Sequence, residues 1–185
     1  MPRHQTYSTE AIVLRHLSVG ETDRLVTLYT KNYGKLRTFA RGVRKTNSKL
    51  SGYLEPLNQV SVEIVQGRSL PLITQADMIN GFYTPSTNFE TIVSGCYIAD
   101  CLDAFTLEGV EHQLLYHLGC SELEHIQTVE NRQTQLRFFE LQLLMISGYQ
   151  PELEVCLYCR KTPNRHSISY SLDAGGILCR DCKNQ

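Results

Sequence analysis

Apolar and polar residues alternate in short runs along the first 80 residues, and turn residues separate these runs. Successive side chains of a strand point to opposite faces, so such alternation is typical of strands with one buried face. We predict five strands, at residues 9–17, at residues 24–30, from Gly34 onward, at residues 58–65 and at residues 70–79. Five short strands favour a small β-barrel, either an OB-fold or an SH3-like barrel, which this pattern does not separate.

The period becomes helical after residue 88, where apolar residues recur at steps of three and four. One helix is predicted from Asn88 to near Gly109, and two more at residues 111–117 and 135–147. The buried stripe of the first helix is predicted to contain Phe89, Ile92, Val93, Cys96, Ala99 and Leu102; in the second, Leu114, Leu115 and Leu118 point inward. The predicted fold class is therefore α+β, with a barrel domain at residues 1–80 and a helical domain at residues 81–185.

The stretch from Gly34 to Lys49 carries the strongest charge signal of the barrel. Read as a strand, it places Leu36, Thr38 and Ala40 on one face and Lys35, Arg37, Phe39 and Arg41 on the other. Between Asp23 and Glu55 there are eight Lys or Arg residues and no acidic residue. A solvated strand face would usually mix charges of both signs, so we predict binding to a nucleic-acid backbone. The predicted contact residues are Arg24, Lys35, Arg37, Phe39, Arg41, Arg44, Lys45 and Lys49. For Phe39 and Tyr29, base stacking and burial in the core are the alternatives.

Charge is unevenly distributed along the chain, although the formal net charge is only −1. Residues 1–80 hold 11 Lys and Arg against 6 Asp and Glu, whereas residues 81–150 hold 2 against 9. A basic barrel followed by an acidic helical region indicates separate surfaces for separate partners.

Seven cysteines are present, and four of them form two C-x2-C pairs, Cys156 with Cys159 and Cys179 with Cys182. Four thiolates provide the tetrahedral sulfur site that zinc prefers and leave no open coordination position, so we predict one structural zinc ion. The zinc module spans about residues 152–185, with a small hairpin made by residues 167–172 and 175–178. Iron, a redox pair, disulfides or a ligand role for His166 are the alternatives. Cys96, Cys101 and Cys120 are predicted to be small buried residues.

Motifs of common enzyme classes are missing from the chain. There is no phosphate-binding G-x-x-x-x-G-K-[ST], no G-x-S-x-G and no H-E-x-x-H. We therefore predict a protein that is not an enzyme and has no small-molecule substrate. The N-terminal residues contain no apolar run long enough for a signal peptide or a membrane span, which favours a cytoplasmic location without membrane contact. Binding to a nucleic-acid backbone would make that location nucleoid-associated.

With these parts in order, the chain resembles the RecO family of bacterial recombination mediators. The resemblance is carried by TEAIVLRHLSVGETDRLVTLYTKNYGKLRTFARGVRK, by LEPLNQVSVEI, and by FELQLLMISGYQPELEVCLYC with the second C-x2-C. It implies an OB-fold followed by a helical domain with an inserted four-cysteine zinc module. Family members usually continue with more helix after the second cysteine pair, which leaves a natural short form or a fragment as alternatives.

The resemblance also implies a function. The family binds single- and double-stranded DNA, anneals complementary strands, displaces single-strand-binding protein and, with RecR, helps to load RecA in gap repair. The basic surface of the family's OB-fold corresponds here to Lys35, Arg37, Arg41, Arg44, Lys45 and Lys49.

Two other functions are compatible with the residues themselves. One is an RNA-binding or transcription-associated adaptor that uses a zinc ribbon beside a β-barrel, and it would prefer RNA to DNA. The other is a redox or metal-dependent enzyme that uses the paired cysteines, and it would show redox-linked activity.

Overall fold

The computed structural model describes residues 6–67, 69–85, 87–164 and 168–183. The chain forms two compact units, Met1–Phe139 and Glu140–Gln185. The first unit therefore contains the β-barrel, two helices and about half of a third, and the domain boundary predicted at residue 80 stays a prediction. Within the described ranges, no helix combines the length and the apolar content that are needed to cross a membrane.

The β-barrel is built from five strands and closes on itself. These are β1 (Thr6–Val19), β2 (Asp23–Thr30), β3 (Gly34–Ala40), β4 (Gln59–Val65) and β5 (Leu72–Asn80), with a one-turn helix α1 (Leu50–Tyr53) between β3 and β4. The strand order is β1-β2-β3-β5-β4, with β1 also paired to β4 and with β3 parallel to β5. This is the order of an OB-fold, so the SH3-like alternative is excluded.

Strand β1 closes the barrel because it is long enough to pair with two neighbours. Its first half pairs with β4 from Thr6 to Ile12, and its second half pairs with β2 from Ala11 to Val19. The register shifts between Val13 and Arg15, and such an irregularity bends a strand and increases its twist. The bend lets one strand belong to both sides of the closed sheet.

The barrel core consists of the inward-facing residues that the alternation predicts. Val60, Val62 and Ile64 of β4 are buried, as are Val26 and Leu28 of β2. Leu36 and Tyr53 pack against this cluster while remaining partly exposed. The five predicted strands are therefore confirmed, although β2 is buried on both sides from Val26 to Thr30.

In the described residues after the barrel, the chain forms three helices: α2 (Phe89–Phe105), α3 (Gln113–Thr128) and α4 (Arg132–Ile146). Asn88 caps α2, because its side-chain oxygen accepts a hydrogen bond of 2.9 Å from the Thr91 N–H. Gly148 follows α4 at φ +82°, and its N–H donates to the Met145 carbonyl, as is common for a glycine that ends a helix. The second helix is much longer than predicted.

The buried stripe predicted for α2 is wrong at several positions. Phe89 is 78% exposed, and Val93 and Cys96 are also exposed. The buried face consists instead of Thr91, Ser94, Gly95, Ile98, Ala99 and Leu102. The small residues face the barrel because the helix approaches it closely: a Cβ atom on Gly95 would lie 2.6 Å from Cζ of Phe82.

The face predicted for α3 is correct at two of its three positions. Leu115 and Leu118 are buried as predicted, whereas Leu114 is 65% exposed. The helix continues to Thr128 and buries Leu123 and Ile126 as well. These residues keep the spacing of Leu115 and Leu118, so one stripe runs along the whole helix and leaves Leu114 outside it.

The α2–α3 connection, residues 106–112, lies across the beginning of β3. The Gly109 N–H donates to the Lys35 carbonyl at 3.0 Å, and Lys35 and Glu108 form a parallel bridge. Gly34 has φ +64°, and a Cβ atom there would collide with the Val110 backbone. This connection therefore covers one end of the strand on which the basic residues lie.

We predict that Gly34→Ala destabilises the protein by about 3 kcal/mol, because it combines a left-handed backbone with a collision against the covering segment. Gly20→Ala is the matched control, since Gly20 has φ +59° with nothing within 4 Å of a Cβ atom. The control should cost only about 1 kcal/mol. Denaturant unfolding measures both, and equal losses would show that residues 106–112 do not pack on β3 as described.

Candidate nucleic-acid interface and metal centre

The burial of β3 follows the predicted alternation of faces. Thr38 and Ala40 are fully buried, whereas Arg37 and Arg41 are exposed and Phe39 is half-buried. The Phe39 N–H also donates to the Pro71 carbonyl at 2.8 Å, which fixes the end of β3 against the chain that enters β5. The strand thus presents the predicted polar face, but the structure divides this face into two parts.

At the beginning of β3, the charge of Lys35 is already compensated. Its Nζ donates to Oδ1 of Asp103 at 2.7 Å and to the Asp103 carbonyl, and only 14% of the side chain is exposed. Arg24 is engaged similarly, with Nη1 2.9 Å from Oε1 of Glu55 and 13% exposure. Both residues are therefore poorly placed for contact with phosphates, and their role in DNA binding stays a prediction.

Tyr29 is also covered at this end of the barrel. It is fully buried, its hydroxyl donates to the His112 carbonyl at 3.0 Å, and burial raises the pKa of Tyr29 to about 12. Base stacking and burial in the core are the two alternatives for Tyr29, and the structure shows burial in the core.

At the other end of β3, the cations are open to solvent. Arg37 is half-exposed and lies 4.0 Å from a Glu108 oxygen, at the border of the covered region. The exposed cations that follow are Arg41, Arg44, Lys45 and Lys49, which we call the open basic surface. Within the described ranges, no carboxylate oxygen lies within 4.0 Å of a charged nitrogen of these four residues.

Asp23 shapes the turn that carries the open basic surface. Its Oδ1 accepts hydrogen bonds from the Gly42 N–H at 2.7 Å and from the Thr22 hydroxyl at 2.9 Å. These bonds, the Gly42 bond foremost, hold the pKa of Asp23 below its usual value, and the charges of Arg41 and Lys45 act in the same direction. Asp23 lies before the basic stretch in the sequence, and the pairing of β2 with β3 brings it next to the turn at Gly42.

The four cysteines of the two C-x2-C pairs form one cluster. Their sulfur atoms all lie within 4.8 Å of one another, and Sγ of Cys159 is 3.8 Å from Sγ of Cys179. A tetrahedral zinc site with Zn–S bonds of about 2.3 Å has sulfur–sulfur edges of about 3.8 Å, so the cluster fits a metal ion. Cys156, Cys159, Cys179 and Cys182 could therefore hold one ion together.

Hydrogen bonds act in opposite directions on two thiols of the cluster: they favour the thiolate of Cys156, whereas the hydrogen bond with the Cys179 side chain raises the pKa of Cys182 to about 12. The Cys179 N–H donates to Sγ of Cys156 at 3.3 Å, and hydrogen bonds from the Cys159 and Cys179 amides lower the pKa of Cys156 to about 6. The Arg160 N–H donates to the Cys156 carbonyl at 2.8 Å, with Arg160 at φ +58°. This tight turn brings Cys156 and Cys159 close together.

A small sheet supports the cysteine cluster. Strands β6 (Ser169–Ser171) and β7 (Gly176–Leu178) form the predicted hairpin, and Glu152 bridges to Gly176. The Leu157 N–H donates to the Ile177 carbonyl at 3.0 Å, which joins the turn of the first C-x2-C pair to β7. His166, the alternative ligand, and Ser167, the predicted beginning of the hairpin, lie outside the described residues.

The remaining cysteines lie apart from this cluster on the helices. Cys96 is exposed, whereas Cys101 and Cys120 are partly buried. The prediction of small buried residues is therefore wrong for Cys96, because α2 turns its small residues rather than its apolar stripe toward the barrel.

Comparison with known proteins agrees with both halves of this architecture. Residues 2–82 match the family model described as recombination protein O N terminal, and residues 86–185 match that of the C terminal. The chain belongs to the RecO family. The family models and the names of the relatives support a function in DNA repair and recombination.

Curated relatives match this RecO-family chain along its length. It is 33% identical over 184 residues to a DNA repair protein RecO of Dehalococcoides mccartyi, covering 100% of this chain and 73% of the relative. It is 35% identical over 176 residues to a DNA repair protein RecO of Desulforamulus reducens, covering 95% of this chain and 68% of the relative.

We predict that Cys156→Ser removes most of the metal bound to the isolated protein, because three thiolates hold the ion less tightly than four. Elemental analysis of the purified protein measures the metal content per chain. Cys96→Ser is the matched control, since Cys96 is an exposed thiol outside the cluster. Equal metal content in the wild type and in Cys156→Ser would contradict the assignment of the cluster.

Proposed function

We propose that this RecO-family chain is a DNA-binding recombination mediator that anneals complementary single strands without a catalytic step. The observation that carries the proposal is the open basic surface, whose four exposed cations have no carboxylate oxygen within 4.0 Å among the described residues. Such cations release counterions from a phosphate backbone, which is the main source of sequence-independent affinity for DNA. Binding there is expected for both single and double strands.

Annealing follows from the same electrostatics. Two complementary strands repel each other, and cations that neutralise part of both backbones lower this repulsion so that bases can pair. The side chains of Arg41, Arg44, Lys45 and Lys49 supply this charge, and the hydrogen bond from the Gly42 N–H to Asp23 holds the turn that follows Arg41. No nucleotide cofactor is needed for such a mechanism.

We further propose that zinc is the ion held by Cys156, Cys159, Cys179 and Cys182. Four sulfur ligands suit zinc, and they leave no position for substrate or water. The bound ion would cross-link the two C-x2-C turns and stabilise the second unit. Without the ion, this unit has a small sheet and few buried residues. This role is structural, consistent with a protein that is not an enzyme.

The protein partners proposed for this chain are RecR, single-strand-binding protein and, indirectly, RecA, in the repair of gaps and double-strand breaks near the nucleoid in the cytoplasm. Residues 81–150 support separate protein contacts, because they hold 2 basic and 9 acidic residues and so repel DNA. The family resemblance is the further support for these partners.

We predict that the double variant Arg41→Glu, Lys45→Glu weakens binding to single-stranded DNA by about tenfold or more at low salt. Each phosphate contact contributes about −0.7 to the slope of log affinity against log salt for single strands, so the slope should flatten by about 1.4. The matched control is Lys161→Glu, Lys183→Glu, which changes the charge equally at exposed residues of the second unit.

Fluorescence anisotropy of a labelled oligonucleotide across a salt series measures these slopes. An unchanged slope in the Arg41→Glu, Lys45→Glu variant, or an equal loss in the control, would contradict the open basic surface as the DNA site. Stronger binding to RNA than to DNA of the same sequence would favour the adaptor function instead. Strand annealing, bare and coated with single-strand-binding protein, then tests the mediator activity.

A further inference from the structure

A groove opens in the barrel beside the open basic surface. It has a volume of about 530 Å³ and lies between the end of β3 and the β4–β5 connection. The residues that line it are Phe39, Arg41, Val65, Gln66, Gly67, Ser69, Leu70 and Leu72. The volume falls within the range of pockets that hold small organic ligands.

The short pairing of two strands explains why a groove forms at this place in the closed barrel. Strands β3 and β5 share only one registered pair, Phe39 with Leu72, whereas β1 with β4 and β2 with β3 each pair over seven residues. The pairing between β3 and β5 therefore does not continue beyond Phe39. On the opposite wall of the groove, Gly67 lies close to the Leu70 carbonyl. A Cβ atom on Gly67 would collide with that carbonyl, so these two residues form a tight contact.

The described lining residues of the groove include an aromatic ring, aliphatic side chains and the cation of Arg41. Phe39 offers a half-buried aromatic surface, Leu70 is 37% exposed, and Arg41 belongs to the open basic surface. Among the described lining residues there is no Asp or Glu. A flat aromatic group attached to an anion satisfies all three features, and an unpaired nucleotide has that chemistry.

We propose that this groove accepts the base of an unpaired nucleotide whose phosphates lie on Arg41 and its basic neighbours. The inference rests on the proposed DNA binding and deepens it, because it identifies single strands as the preferred form. A base in a duplex is stacked and paired, so a duplex can contact only the cations. An unpaired base can enter the groove and add a contact with Phe39, and base–aromatic stacking is a recurrent source of affinity for single strands.

The test compares three ligands: an oligothymidylate, the same backbone with abasic residues throughout, and a duplex of equal length. We expect the wild type to bind the oligothymidylate about tenfold more tightly than the abasic strand, since stacking adds to the charge contribution. Phe39→Leu should lose most of this preference while it retains its affinity for the abasic strand and the duplex. Phe39→Trp should keep the preference.

Tyr33→Leu is the matched control, because Tyr33 is a ring of the same barrel that is 40% exposed and packs on Tyr7 outside the groove. It should leave the preference unchanged. Leu70→Ser tests the opposite wall without altering β3, and it should reduce the preference as well. Circular dichroism confirms that each variant is folded before its binding is compared.

Equal binding of the oligothymidylate and the abasic strand by the wild type would overturn the groove assignment and leave the basic surface intact. An equal loss of affinity for all three ligands in Phe39→Leu would also overturn it, since the ring would then act only through the fold. Failure of the wild type to bind any of the three ligands would instead refute the proposed function itself.

Discussion

The packing of residues 106–112 on the beginning of β3 is the constraint on which the rest of the interface depends. Gly34 has no side chain and adopts a left-handed conformation, so the Val110 backbone can approach it closely. Lys35 then forms an ion pair with Asp103 of α2, and Asp103 also contacts Arg15 of β1 at 3.2 Å. Because these contacts cover one end of the strand, the charges at the other end form the surface that remains available.

The open basic surface, the groove and the turn at Asp23 lie at this uncovered end. Their positions follow from the same strand pairings, since the β2–β3 register places Asp23 near the Gly42 turn and the short β3–β5 pairing leaves the groove open. The second unit contributes a separate feature, a cysteine cluster built from two C-x2-C turns and a small sheet. The chain thus combines a surface suited to polyanions with a compact element whose four sulfur atoms fit a metal ion.

Much of the fold could be predicted from the sequence because strand alternation and paired cysteines are local signals. Residue spacing alone was enough to predict the two faces of β3 and the cysteine cluster. The buried side of α2 could not be predicted, since hydrophobicity pointed to Phe89 and Cys96 whereas close approach to Phe82 requires Gly95. The pairing of Lys35 with Asp103 and of Arg24 with Glu55 joins residues far apart in sequence, and no local pattern marks it.

The most direct test of this account is to record amide chemical shifts of the isotopically labelled protein during titration with a short oligothymidylate. We predict that the largest changes occur at residues 39–49 and 65–72, around the open basic surface and the groove. Tyr29, Gly34 and Lys35, which contact the α2–α3 connection, should change little. Changes centred on residues 29–35, with none at residues 39–49, would contradict the division of the basic strand into a covered and an open part.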